Sequence, residues 1–275
     1  MMLSLKEMAR ISVTVALWYL LSATVVLAQS KTDEIDLDHY VLSFSDEFDT
    51  IDVSEWGCMS RWIAHTPWAG DFGTARFTKP EEGFPFVVKD GILEIEARKS
   101  PSGQWRSGML ASWDACDSGF AQRYGYFEMR AKVPAGPGFW PAFWLIGLDK
   151  SNGTAEVDIF EHHTHKPNRY ASALMKHIGK NDPSHGVYSN FNPVEEGILA
   201  RQFNTFGADL SEMEAVFYFN RKEVWRTPMR DQFKQPMYLL ISLAMDEGFV
   251  TSKTPPSAKL LVDYVRAYQR KPKGF

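Results

Sequence analysis

The sequence predicts an all-β fold, a sandwich of two antiparallel sheets. Three observations lead there. Short runs of alternating or continuous apolar residues recur from Tyr40 to Tyr268, punctuated by Gly, Pro, Asn and Asp. Helical periodicity is scarce, with room for only a turn or two at residues 229–235. No repeat, low-complexity tract or linker divides the 275 residues, so one large β domain over 29–275 fits the length.

In chain order, residues 1–28 read as a secretory signal. Lys6 and Arg10 precede an apolar run from Ile11 to Ala28, and Val26 and Ala28 suit a small-residue cleavage site. The competing reading is an uncleaved anchor, but Ser12, Thr14, Ser22 and Thr24 dilute the run. Residues 29–40 are polar and expected to be loose. Phe86-Val87-Val88 and Ile92 to Ala97 flank Asp90-Gly91, the signature of a tight hairpin. Residues 124–133 alternate, with Phe127, Met129, Ala131 and Val133 on one face and Tyr126, Glu128, Arg130 and Lys132 on the other. Phe139 to Ile146 is an apolar strand ended by Gly147. Ala215, Phe217 and Phe219 alternate before a turn at Asn220-Arg221-Lys222. Met237 to Ala244 suits a strand buried on both faces, and Leu260 to Tyr268 alternates again. Residues 57–85 carry little strand signal, and long loops of this kind often build a binding edge.

Removing residues 1–28 takes away Lys6, Arg10 and Glu7, leaving 28 basic and 33 acidic side chains and a net charge of about −5. That argues against nucleic acid as a partner. An exported chain would be secreted or periplasmic, without stable membrane association once cleaved, and monomeric by default. Aromatics make up 14% of the chain, enough to supply platforms for sugar rings as well as a β core. Cys58 and Cys116 both lie in the exported part. An oxidising compartment permits a disulfide between them, and spacing alone does not decide whether it forms.

The chemistry concentrates in Glu156-Val157-Asp158-Ile159-Phe160-Glu161. On a strand, Glu156 and Asp158 share a face and Glu161 points the other way unless a β-bulge returns it. A straight strand would also hold Glu156 and Glu161 roughly 16 Å apart, so a bulge or curvature is needed for them to meet. Three acids held together repel and raise at least one pKa, which suits a proton donor beside a carboxylate nucleophile. An exposed acidic strand or a divalent-cation site is the alternative from spacing alone. Glu161, His163 and His165 also alternate, and on a continuing strand they could ligate zinc. No phosphate loop or serine nucleophile elbow is present.

Just upstream stands Trp140-Pro141-Ala142-Phe143-Trp144. Together, Trp-Pro-Ala-x-Trp and Glu-x-Asp-x-x-Glu resemble glycoside hydrolase family 16, the laminarinase and lichenase relatives. Phe44 to Asp49 with Trp56, Asp90 to Leu93, Ser107 to Ser112, Tyr124 to Arg130, Asn204 to Gly207 and Val262 to Arg266 fit the same family, so the resemblance covers about residues 41–270. It implies a jelly-roll sandwich with a concave sugar cleft. It implies Glu156 as nucleophile, Asp158 as its helper and Glu161 as acid/base, in an endo-β-glycosidase that needs no cofactor for catalysis. Trp140, Trp144, His177, His163 and Trp113 are the expected substrate contacts. A structural calcium is implied by the family, with Asp263, Glu47 and the Gly91 carbonyl as candidates. Two departures matter. Where many relatives carry Trp before the first Glu, this chain has Gly153-Thr154-Ala155, so that wall is missing or supplied by Trp62, Trp68, Trp105 or Trp113. His162-His163-Thr164-His165 replaces the residues common in β-glucanases, and the nearest resemblance is to bacterial endoglycanases that trim exopolysaccharides, the succinoglycan depolymerases among them. A polysaccharide, either β-1,3/1,4-glucan or an exopolysaccharide, is the expected partner. A non-catalytic carbohydrate-binding sandwich is the second reading.

Overall fold

The computed structural model describes residues 34–66, 70–178 and 186–272. The expected signal, and Trp68, lie outside them. From Glu34 a single 3-10 turn, Leu37–His39, precedes the first strand where a loose segment was expected. Nineteen strands follow among the described residues: β1 (Tyr40–Asp46), β2 (Val53–Ser54), β3 (Trp62–Ile63), β4 (Ala75–Phe77), β5 (Phe86–Lys89), β6 (Ile92–Lys99), β7 (Trp105–Ser107), β8 (Met109–Ala111), β9 (Ala121–Gln122), β10 (Gly125–Lys132), β11 (Phe139–Gly147), β12 (Thr154–Glu161), β13 (Arg169–His177), β14 (Gly186–Pro193), β15 (Asn204–Leu210), β16 (Glu214–Phe219), β17 (Lys222–Pro228), β18 (Met237–Met245) and β19 (Ser257–Arg270). A helix of one turn, Ile198–Arg201, and a 3-10 turn, Asp231–Phe233, complete the described fold.

The strands form two sheets, as a jelly-roll sandwich requires. One runs β17-β16-β15-β10-β19-β6-β7-β4, with β1 on β19 and β5 on β6. The other runs β14-β13-β12-β11-β18-β8-β3-β2, with β9 on β18. Pairing is antiparallel except for β2 with β3 and β4 with β7, which are parallel. The expectation of purely antiparallel sheets is corrected there. Neither pair is joined by a two-residue turn, so the hairpin geometry that enforces antiparallel pairing is absent.

Leu93, Ile95, Phe127, Met129 and Val265 of the first sheet meet Phe143, Leu145, Val157, Leu239 and Ile241 of the second, all buried in one core. The alternate residues of β11 and β18, among them Trp144, Ile146, Leu240 and Ala244, form a second cluster on the outward face of the second sheet. Both strands are thus covered on two sides, which is why they read as continuous apolar runs. The polar face expected for β10 is also covered. Glu128 is fully buried, and both its oxygens are saturated. Arg221 donates to them at 2.9 and 3.0 Å, and the Tyr126 and Tyr264 hydroxyls donate at 2.8 and 2.9 Å. A carboxylate survives burial only with such partners. The hairpin turns occur where expected. Asp90 and Gly91 take φ of 53° and 73°, and Asn220 and Arg221 take 49° and 65°, the left-handed pair that joins twisted strands in two residues.

Candidate active site

The acidic segment is β12, lying between β11 and β13. Its register with β11 pairs Ile146 with Glu156 and Trp144 with Asp158, then jumps to Phe143 with Phe160 and Ala142 with Glu161. Ile159 is the extra residue of a β-bulge. The cause is packing. Ile159 and Phe160 are consecutive, yet both are buried in the core between the sheets. Phe160 lies 3.9 Å from the Phe206 ring and 5.4 Å from that of Tyr170. Burying each such side chain is worth roughly 1.5–3 kcal/mol. On a straight strand one of them would face out and Glu161 would face in. The bulge turns Glu161 to the side of Glu156 and Asp158, and the three carboxyl groups line one cavity of about 430 Å³.

Trp140, Ala142, Trp144 and Ile146 of β11 share that cavity with Ser242 of β18 and His177 of β13. The Trp140 indole Nε1–H donates to Glu161 Oε1 at 2.9 Å. His177 Nε2 lies 3.3 Å from Glu156 Oε2, and the contact with Glu156 raises the imidazole pKa against a smaller opposing effect of burial. Burial raises the Glu161 pKa, which the nearby His163 and the Trp140 hydrogen bond partly offset. Asp158 is pushed well up, by burial first and then by the charges of Glu156 and Glu161. A carboxyl group whose pKa is raised by its surroundings can donate a proton, and a second carboxyl group in the same cavity can attack as a nucleophile. Trp144 Nε1, Asp158 Oδ2 and Ser242 Oγ are buried and have no hydrogen-bond partner among the described residues. All three belong to cavity-lining residues, so a polyhydroxylated ligand could satisfy them.

The missing wall is not supplied as expected. Trp62 is buried in the core, its Nε1–H donating to Asp46 Oδ2 at 2.7 Å, and Trp105 is buried edge-on to Phe139. Both serve the core because their positions face the other sheet. Trp113 lines a separate depression with Tyr238 and Lys150 rather than the cavity of the acids. The wall is Phe72, which sequence reasoning missed. It meets the Trp140 and Trp144 rings nearly perpendicularly at 5.6 and 5.8 Å. Gly73 allows this approach, because a Cβ there would sit 2.2 Å from the Met245 carbonyl oxygen. Gly153 has a similar reason at the start of β12. At φ of 95°, a Cβ would sit 2.6 Å from the His177 carbonyl oxygen and displace the strand that presents His177 to Glu156.

The zinc arrangement is not what forms. β12 ends at Glu161, so the histidines leave the strand in a turn. His162 is buried, its Nδ1–H donating to the Arg169 carbonyl at 2.9 Å, and burial pushes its pKa down to about 4. His163 stacks on Trp140 with ring centres 5.2 Å apart, and its Nδ1–H donates to Asp246 Oδ2 at 2.8 Å. Its Nε2 stands 3.9 Å from Glu161 Oε1. His165 stacks on Phe249 at 3.5 Å. Asp246, just past the apolar run of β18, gathers the cluster and went unnoticed in the sequence. Among the described residues no group of three or more His, Cys, Asp or Glu side chains is placed to hold a metal ion. The calcium candidates do not fit a cation either. Asp263 is paired with Arg130, both Glu47 oxygens are taken by Arg266 at 2.9 and 2.7 Å, and Gly91 serves the β5–β6 turn.

Comparison with known proteins agrees with this architecture. A sequence profile of the glycosyl hydrolases family 16 matches residues 82–266. The endo-1,3-1,4-beta-glycanases ExsH and EglC of Rhizobium meliloti (strain 1021) are 29% and 31% identical over 277 residues, covering 89% of this chain and 57% of theirs. This chain therefore spans a little over half the length of those relatives. The laminarinase catalytic domain from Thermotoga maritima MSB8 shares the fold at a TM-score of 0.67, with 20% identity and coverage of 85% of this chain and 99% of that one. With a profile match over most of the folded residues, the chain belongs to family 16 of the glycosyl hydrolases.

Proposed function

We propose that the protein is an exported endo-β-glycosidase that hydrolyses internal linkages of a polysaccharide with retention of configuration. The observation that carries this is the bulge at Ile159, which puts Glu156, Asp158 and Glu161 in one cavity walled by indole and phenyl rings. Glu161 donates its proton to the glycosidic oxygen as Glu156 attacks the anomeric carbon. The carbon–oxygen bond to the leaving sugar breaks and a glycosyl ester to Glu156 forms. Glu161, now a carboxylate, removes a proton from water, which displaces Glu156 and frees the product. His177, 3.3 Å from Glu156, holds its carboxyl group in place for the attack. Asp158, its pKa raised by burial, lies between the two glutamates along β12 as the helper that the family resemblance implies. Export rests on residues 1–28, and the Cys58–Cys116 disulfide suits an oxidising compartment. The names of the relatives favour a β-1,3/1,4-linked glycan, a glucan among them, and the histidine turn favours a bacterial exopolysaccharide as the other substrate class.

Reducing-end release from a panel of lichenan, laminarin and succinoglycan, with chain-length analysis, should show mid-chain cleavage of at least one. Proton NMR of the first product should show the β anomer. Oligosaccharide binding with no release from any polymer would favour the non-catalytic sandwich instead.

Asp158→Asn should separate stability from rate. Because the folded protein holds the Asp158 proton more tightly than the unfolded chain, stability falls as pH rises from the ordinary aspartate range through the raised value. Asn cannot ionise, so the variant should melt no lower than wild type at about pH 8, with any gain vanishing near about pH 4. Its kcat should fall about 10–100-fold. Melting curves at both pH values, with initial rates, check the pair of effects.

A further inference from the structure

Beyond Glu161 the outward face of the second sheet does not end. The register continues it from Glu161 to Ala171 on β13 and on to Phe191 on β14, and from Asp158 to Ala173 and Ser189. Small side chains thus floor a second hollow of about 330 Å³ that shares Glu161 with the first cavity. Its rim is aromatic and open, with Phe191 and Phe249 exposed at 58% and 42%. Its charge differs from that of the first cavity. Lys166 and Arg169 line it. Among the described residues neither has a carboxylate within ion-pair distance, and the Arg169 guanidinium lies over the Phe191 ring at 4.2 Å. The hollow's one carboxylate besides Glu161 is Asp246, already engaged by His163 at 2.8 Å and 3.3 Å from His165 Nδ1. Two basic side chains therefore line a sugar-sized hollow beside the proposed scissile bond, and among the described residues neither is paired with a carboxylate.

We infer that this hollow is a subsite for a sugar unit bearing an anionic substituent, a carboxylate or a sulfate ester, held by Lys166 and Arg169. The inference rests on the glycosidase reading for its place in the cleft, and deepens it by naming the class of repeat unit preferred. A guanidinium and an ammonium give charge-assisted hydrogen bonds to either anion, while Phe191 offers a face to the ring. The arrangement explains how an acidic chain of net charge −4 could hold an acidic polymer locally.

The test uses three disaccharide probes with the full protein: cellobiose, cellobiouronic acid and cellobiose 6′-sulfate, titrated by calorimetry at low and high salt. At low ionic strength at least one anionic probe should bind about tenfold more tightly than cellobiose. The advantage should shrink as salt rises. The double variant Lys166→Gln/Arg169→Gln should lose the preference and keep the wild-type affinity for cellobiose and the wild-type melting temperature. A carboxylate-only preference assigns uronate, ketal or half-ester units, and a sulfate-only preference assigns sulfated units. Equal affinity for all three probes in wild type, or a preference that survives in the double variant, overturns the subsite. Because binding is read without turnover, a failure of the glycosidase reading would show separately in the polymer panel.

Discussion

Glu156→Gln and Glu161→Gln should each lower kcat on a polymeric substrate by about 10³-fold or more, while leaving the circular dichroism spectrum and melting temperature close to wild type. Both side chains project from the outward face into a cavity and neither belongs to the core between the sheets, so their amides remove chemistry rather than packing. Azide should separate the roles. With an aryl β-glycoside, whose leaving group needs no proton, Glu161→Ala should accumulate glycosyl-enzyme that azide intercepts as a β-glycosyl azide. Glu156→Ala, lacking the first displacement, should give the α-glycosyl azide by a single inversion. The reversed pattern would exchange the two assignments, and wild-type rates in either Gln variant would sink the mechanism.

Loss of the Cys58–Cys116 disulfide should destabilise the protein by about 4 kcal/mol, the chain-entropy value for a loop of its length. The bridge spans 58 residues with the Cα atoms 5.6 Å apart. Asp114 stitches the same corner, accepting from the backbone N–H groups of Cys116 at 2.8 Å, Ser118 at 3.0 Å and Met59 at 3.3 Å. The enclosed loop carries Thr66, Asp71 and Phe72, which form one wall of the cavity. Freeing it should therefore raise KM as well as lower stability. The check is to compare Cys58→Ser/Cys116→Ser with wild type in urea melts and in substrate titrations. Coincident melts would show that the Asp114 contacts and the strand pairing hold the corner unaided.

Much of the fold was legible because its signals are local. β5 and β6 follow from Asp90-Gly91, β10 from strict alternation, and β18 from an unbroken apolar run. β14 and β17 were not, since both are half-exposed edge strands with mixed side chains, each held in its sheet only by the strand just before it, so no clean alternation marks them. Residues 57–85 were read as a loop that could build a binding edge, and Phe72 lies there, but nothing in its own surroundings distinguishes it from a core phenylalanine. Trp62 and Trp105 show the converse. An indole in a loop-rich stretch looks like a sugar platform, and only the packing of the two sheets shows that each faces the interior.

By itself the sequence determined the all-β class, the family and the acidic hexapeptide, because turn chemistry, alternation and a motif of adjacent residues are written within a few positions of one another. The tertiary structure alone decided which way Glu161 points. That depends on Ile159 and Phe160 both finding room between the sheets, and room is supplied by Tyr170 on the next strand and by Phe206, remote along the chain on the facing sheet. It also decided that the histidines gather on Asp246 instead of a metal, and that Lys166 and Arg169 face the hollow beside Glu161. Those outcomes come from which strand lies beside which, and no short window of sequence carries that.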